Sequence, residues 1–202
     1  MDFYNKIKGI VLKIKPLYRF LIYLKRRFKG IDEESQLIPK NELNFLLEVS
    51  GEGNEIIEIG SATGQTTRRL ALKNKVIAID PFIPGKDGLI MSYYPKDFHH
   101  EFLKNIKGKN VIFFNMTSME AFKFWDKGIK RKIDGIFIDG EHTYNAVEND
   151  SKWIKYVKNG GFIAFHDVVR GSEIRNFVEK YIVPKYKLEG IQGNLWIFRK
   201  NN

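Results

Sequence analysis

Two short runs of this chain hold the residues best suited to move a proton or hold a cation: Asp139, Glu141 and His142 in DGEHTY, and His166 with Asp167 in AFHDVV. An imidazole changes charge near neutral pH, so a positioned histidine can take the proton of a hydroxyl group. Aspartate oxygens are the ligands that magnesium favours, and a histidine among them moves the preference toward ions that tolerate nitrogen. A third run, EIIEIGSATGQTTRRLALKNKVIAID over residues 55–80, sets Glu58, a turn from Gly60 to Gly64 and Asp80 in series. His99 and His100, in KDFHHEF, read as surface helix residues or part of a lid over a substrate.

Apolar runs that alternate with helical periods must position these groups. EIIEIG, KVIAID, NVIFFN, IDGIFIDG, GFIAFHD, YKLEGI and NLWIFRK read as seven strands. Between them PKNELNFLLEVSG, TTRRLALKN, PKDFHHEFLKNI, SMEAFKFWDKG, TYNAVENDSKWIKYVKNG and SEIRNFVEKYIV read as helices. Strands that are apolar throughout, each followed by a helix, indicate a parallel sheet covered on both faces. The last two strands are joined only by a short Gln-Gly connection, which excludes a crossover and predicts an antiparallel hairpin. The expected fold is therefore α/β: a Rossmann-like seven-stranded sheet, mostly parallel, with an antiparallel C-terminal hairpin and helices on both faces. Trp125, Trp153 and Trp196 read as core or interface residues.

In such sheets ligands settle at the carboxyl ends of the strands, near the point where strand order reverses. The first strand ends in ExGxxxG, not in the GxGxxG of a dinucleotide site. Glu58 would repel a phosphate and suits a cation, while Asp80 is placed to accept both hydroxyls of a ribose. A ligand with a ribose and a positive charge but no phosphate fits S-adenosylmethionine.

With these residues in hand, the chain from about residue 40 to 200 resembles the class I S-adenosylmethionine-dependent methyltransferases. Within that class, DGEHTYNAVENDSKWIKYVKNGGFIAFHD resembles the small-molecule O-methyltransferase group that acts on sugars and antibiotics. The resemblance implies that Gly60, Ser61 and Gly64 bring backbone and hydroxyl to the methionine moiety. It also implies Glu58 near the amino or sulfonium end, Asp80 on the ribose and Thr117, in the NMTS turn, beside the adenine. Asp139 would serve cofactor and reaction together, and His142 would be the general base. Asp139, His166 and Asp167 would hold magnesium or another divalent metal, although relatives that use a metal have a carboxylate where this chain has His166. The acceptor implied is a small molecule or glycan. The segment PFIPGKDGLIMSYYPKDF, with Tyr93 and Tyr94, would form its pocket. Other readings stay open: a non-catalytic S-adenosylmethionine-binding protein, an unusual RNA methyltransferase, or an NAD-dependent oxidoreductase, which the turn spacing disfavours.

Composition narrows the partners. The chain has no cysteine, which excludes disulfides, thiolate metal sites and cytosine C5 methylation by a cysteine nucleophile. No Asn/Asp-Pro-Pro-aromatic motif follows the fourth strand, so DNA is not an expected partner. The net charge of +10 is concentrated in residues 1–30, which carry nine Lys/Arg and a single acid, Asp2. That segment has apolar residues at helical spacing broken by Pro16, and lysines too frequent for a membrane span. It fits first a helix that covers part of the core or a homo-oligomer face, since a charged solvent face is the commoner meaning of such a pattern, and second a basic amphipathic helix on an anionic membrane surface. No secretory signal is expected. The division expected is residues 1–38 as basic helical segment and linker and 39–202 as the methyltransferase domain, in the cytoplasm or at the inner face of the membrane.

Overall fold

Seven strands join into one sheet in the computed structural model, which describes residues 38–83 and 98–201. They are β1 (Glu55–Ile59), β2 (Lys75–Ile79), β3 (Val111–Phe114), β4 (Ile133–Ile138), β5 (Val157–Phe165), β6 (Lys187–Gln192) and β7 (Leu195–Arg199). Their spatial order is β3-β2-β1-β4-β5-β7-β6. Strands β1 to β5 pair in parallel and β7 runs antiparallel to both β5 and β6, as the sequence predicts. Order reverses between β1 and β4, which makes the gap beyond their carboxyl ends the place where a ligand can enter.

The helices are α1 (Lys40–Ser50), α2 (Gln65–Leu70), α3 (Phe98–Ile106), α4 (Ser118–Phe124), α5 (Tyr144–Ser151) and α6 (Glu173–Phe177). Side chains alternate between the faces of a strand, so Ile57 and Ile59 of β1 go to one face and Ile56 to the other. The first face packs against α4, α5 and α6 through Trp125, Val147, Trp153 and Phe177. The second packs against α1 and α2 through Leu43, Leu46 and Leu70. Trp125 and Trp153 are buried in the core, as expected, and Trp196 is half-buried against it. Among the described residues no helix is long and apolar enough to cross a membrane.

Several expected helices depart from the regular period that their sequence suggests. The 143–160 helix stops at Ser151, passes through a 3-10 turn (Lys152–Tyr156), and gives way to β5 at Val157. Strand pairing wins there: Val157 is buried opposite Ile133, and Lys158 reaches Asp134 across the edge at 2.5 Å. Helices α4 and α6 each relax into one wide turn, at Trp125–Ile129 and Val178–Ile182. The basic segment of residues 1–30 and the Tyr93–Tyr94 loop lie outside the described residues.

Candidate functional site

The register of the sheet places every site residue of the strand ends in one row. The last paired rungs are Ile59 with Ile79, Ile59 with Ile138, and Ile138 with Phe165. The next residues in each strand are Gly60, Asp80, Asp139 and His166. Backbone bonds carry the row onward: Gly60 N–H donates to the Ile79 carbonyl, Asp139 N–H to Ile59 and His166 N–H to Ile138, at 2.8–3.0 Å. Parity puts Glu58, Asp80, Asp139 and His166 on the face that α1 and α2 cover.

On the β1–β2 side the turn is held by left-handed backbone at Gly60, Ala62 and Gly64. A Cβ on Gly60 would collide with the Asp139 carbonyl, and one on Gly64 would meet the Phe102 ring at 2.8 Å. Both glycines are therefore required by positive φ and by close approach of the protein to itself. Asp80 is buried, its two oxygens accepting the Ala62 and Phe82 amides at 2.8 Å each. It thereby fixes the turn to the end of β2. A carboxylate has about four lone-pair sites, so the same oxygens can accept ribose hydroxyls beside those amides.

Glu58 is fully buried beneath the turn and accepts the Thr67 hydroxyl of α2. Burial pushes its carboxyl from the ordinary 4.5 up to about 8; the Thr67 bond offsets part of this, and Asp139 and Asp80 add to it. At neutral pH it is thus mostly protonated, where the sequence alone implied an anion. Glu58 Oε1, Ser61 Oγ and Thr63 Oγ1 are buried without an aligned hydrogen bond. Glu58 and Ser61 lie within reach of each other, and the incompletely bonded buried oxygens around this turn fit a polar ligand lodged there. Phe82, His99, Phe102 and Phe113 gather beside Asp80 with ring centroids 4.5–5.8 Å apart. His99 belongs to this aromatic group, a role that its surface-helix spacing did not signal. Thr117 sits at the end of β3 as the cap of α4: its hydroxyl accepts the Glu120 amide at 3.3 Å, and Glu120 accepts the Thr117 amide in return at 2.9 Å.

On the β4–β5 side the charged groups face one another. His142 Nε2 lies 3.2 Å from Asp167 Oδ2, and His166 Nδ1 lies 3.1 Å from Asp139 Oδ1 and 3.4 Å from Asp167 Oδ2. Neighbouring strand residues point to opposite faces, so His166 and Asp167 would diverge in regular backbone. Asp167 has φ +54, and that left-handed turn returns its carboxylate to the side of His166. Aspartate is among the residues that accept such a conformation most readily. His142 is placed from the other direction, because Thr143 caps α5 by accepting the Ala146 amide at 3.3 Å. The chain turns into the helix directly after the imidazole.

Burial would lower the pKa of His166, but its bonds to Asp139 and Asp167 prevail and push it up to about 11. Burial raises the Asp139 carboxyl above its usual range, with His166 offsetting part. Burial would also raise Asp167, but His166 and His142 bring it below that range. Asp139, His166 and Asp167 each offer a ligand atom within 4.8 Å of the others. Two oxygens and one nitrogen converging in this way fit a divalent cation that accepts mixed ligands.

One member of the site escapes a motif reading. Glu42, buried in α1, stands 2.8 Å from His166 Nε2 through its Oε2. Its signal in the sequence is slight: an acid on the same helical face as Leu46 and Ser50, both buried.

Residues 57–168 match a family model described as a methyltransferase domain. An uncharacterized protein of Acanthamoeba polyphaga mimivirus is 34% identical over 118 residues, 55% of this chain; the match spans only 50% of that relative. Among solved structures, the Streptomyces achromogenes O-methyltransferase TomG, in complex with S-adenosylmethionine, superposes with a TM-score of 0.61 at 14% identity, covering 88% of this chain and 86% of its own. A Bacillus cereus O-methyltransferase in complex with S-adenosylhomocysteine gives 0.60 at 19% identity, covering 82% and 83%. CalS11, a TDP-rhamnose 3′-O-methyltransferase of calicheamicin biosynthesis, gives 0.58 at 12%, covering 79% and 78%. These likenesses establish a shared fold. The family match spans more than half of the chain and contains the glycine turn, Asp80 and the paired strand ends, so the chain belongs to the methyltransferase-domain family.

Proposed function

We propose that this chain transfers the methyl group of S-adenosylmethionine to a hydroxyl of a small molecule, a sugar or glycan, with His142 as general base. The observation that carries this reading is the His142–Asp167 pair, 3.2 Å apart at the mouth of the strand row and beside Asp139. A carboxylate within reach of Nε2 favours the tautomer that leaves Nδ1 for the incoming proton, and it steadies the imidazolium that results.

The donor's place is the β1–β2 side. Ser61 and the turn from Gly60 to Gly64 would hold the methionine moiety, Asp80 the ribose and Thr117 the neighbourhood of the adenine. Glu58 and Asp139 would face the cationic end. The transfer balances with the chain's own groups. His142 Nδ1 takes the hydroxyl proton and the oxygen pair forms a bond to the methyl carbon. The carbon–sulfur bond breaks with its electrons passing to sulfur, leaving neutral S-adenosylhomocysteine, and the proton later leaves His142 to water. Asp139, His166 and Asp167 would hold a divalent cation, which when bound lowers the pKa of the acceptor hydroxyl.

The test is incubation of the full chain with methyl-labelled S-adenosylmethionine and a panel of hydroxyl acceptors headed by nucleotide sugars. Label recovered in a methyl ether supports the reading. Tight donor binding with no label in any hydroxyl acceptor would turn it toward a non-catalytic binding protein.

A further inference from the structure

A buried glutamate with both oxygens engaged by different elements is costly unless its partners need it there. Glu42 is 3% exposed on a helix whose other buried residues include Leu43 and Leu46. Its Oε1 accepts the Asn194 amide at 3.0 Å, in the turn between β6 and β7, and its Oε2 meets His166 Nε2 at 2.8 Å. Gly193, at φ +57, leaves the space the carboxylate occupies, since a Cβ there would collide with Oε1. The Asn194 carbonyl in turn accepts the Val168 amide at 3.0 Å, just beyond Asp167. Helix α1, the hairpin turn and the end of β5 therefore close on this one side chain.

The consequence falls on His166. A ring nitrogen given to a carboxylate fixes both the tautomer and the plane of the imidazole. With Nε2 tied to Glu42, Nδ1 is the atom turned toward Asp139 and Asp167, and a cation bound there would displace the proton that Nδ1 shares with those carboxylates. We propose that Glu42 is a positioning residue: it holds His166 so that Nδ1 completes a mixed nitrogen–oxygen site with Asp139 and Asp167, and thereby sets the site's preference for a first-row transition ion over magnesium. This rests on the cation reading of the same cluster given above. Magnesium demands near-octahedral oxygen coordination and gains little from an imidazole, whereas cobalt, manganese and zinc accept one. The orientation of the ring is then what separates the two classes of ion.

Cobalt(II) and magnesium are the probes, each titrated calorimetrically into the full chain, with the visible spectrum of bound cobalt as a second readout. The wild type is expected to bind cobalt at least about tenfold more tightly than magnesium, with a spectrum that changes in His166→Asn. Glu42→Gln keeps the side-chain shape but offers Asn194 and His166 a mismatched amide; loss of such an outer partner is expected to weaken cobalt about 10–100-fold while magnesium changes little. Glu42→Asp keeps the charge but is too short to span both partners, and is expected to fall between the two. Circular dichroism identifies a variant that has not folded, and in that case the Glu42→Asp and wild-type spectra decide. Cobalt affinity and spectrum equal in wild type and both Glu42 variants overturns the positioning role while leaving the cation reading intact. A folded wild type that binds neither ion overturns the cation reading and this inference together.

Discussion

At the ends of β1 and β2 the carboxylates are engaged by the protein's own amides and a threonine, whereas at the ends of β4 and β5 they face imidazoles. Asp80 accepts two backbone N–H groups and Glu58 accepts Thr67. Asp139 and Asp167 instead meet His166 and His142 across 3.1–3.4 Å. The first arrangement is rigid because covalent backbone sets it, which suits holding a ligand of constant shape. The second depends on side-chain protons and charges, which suits moving a proton or accommodating a cation. On the proposed function, one end of the sheet would separate binding from chemistry, and substitutions on the two sides should separate affinity from rate.

The largest expected effect is on the β4–β5 side. His142→Ala should slow methyl transfer about 10²–10⁴-fold, the usual contribution of a positioned general base, while donor affinity measured by calorimetry stays near wild type. An unchanged rate would remove His142 from the mechanism. Gly60→Ala attacks the joint between the sides, because the new methyl group meets the Asp139 carbonyl at a position with φ +88. A loss of more than about 3 kcal/mol in denaturant unfolding is expected, with both affinity and rate impaired. Stability within a fraction of that value would show that the two strand ends can separate freely.

Asp80→Asn keeps an acceptor oxygen but turns the other into a donor facing an amide. Donor binding should weaken about 10–100-fold, the cost of a lost charged hydrogen bond, while the rate at donor saturation changes little. A fall in rate alone would move Asp80 to the reaction side.

The smallest effect is a pH dependence at Glu58. A cation placed nearby favours the carboxylate, so binding of the sulfonium donor should release its proton. Affinity for S-adenosylmethionine should then rise with pH up to about 8 and level off. The rise is at most about tenfold per pH unit, as for one proton. S-adenosylhomocysteine, which is uncharged at sulfur, should show less of it, and Glu58→Gln should flatten it. The stability of the free chain moves the other way. Because the folded pKa is raised, the folded state keeps a proton between pH 4.5 and about 8 that the unfolded state loses. This group's contribution therefore makes stability decline as pH rises through that window, and it is constant above.

Sequence and structure agree where the information is local or periodic. Unbroken apolar runs predict the parallel strands, Gln192–Gly193 predicts the hairpin, and Glu58, Asp80, Asp139 and His166 stand where strands end. What spacing does not carry is contact between distant segments. Glu42 and His166 are 124 positions apart and meet only because strand parity turns His166 toward α1. The protonation of Glu58 depends on complete burial under α2, which no motif expresses. Val157 joins β5 because Ile133 lies opposite it, although its neighbours continue a helical period.

On the proposed function, donor and base occupy the two sides of one strand row. A crystal structure of the full chain with S-adenosylhomocysteine addresses it directly. The ribose hydroxyls are expected on the Asp80 carboxylate, with the thioether sulfur turned toward the His142–Asp167 pair. A nucleoside bound away from Gly60 and Asp80, or a sulfur facing away from that pair, would contradict it.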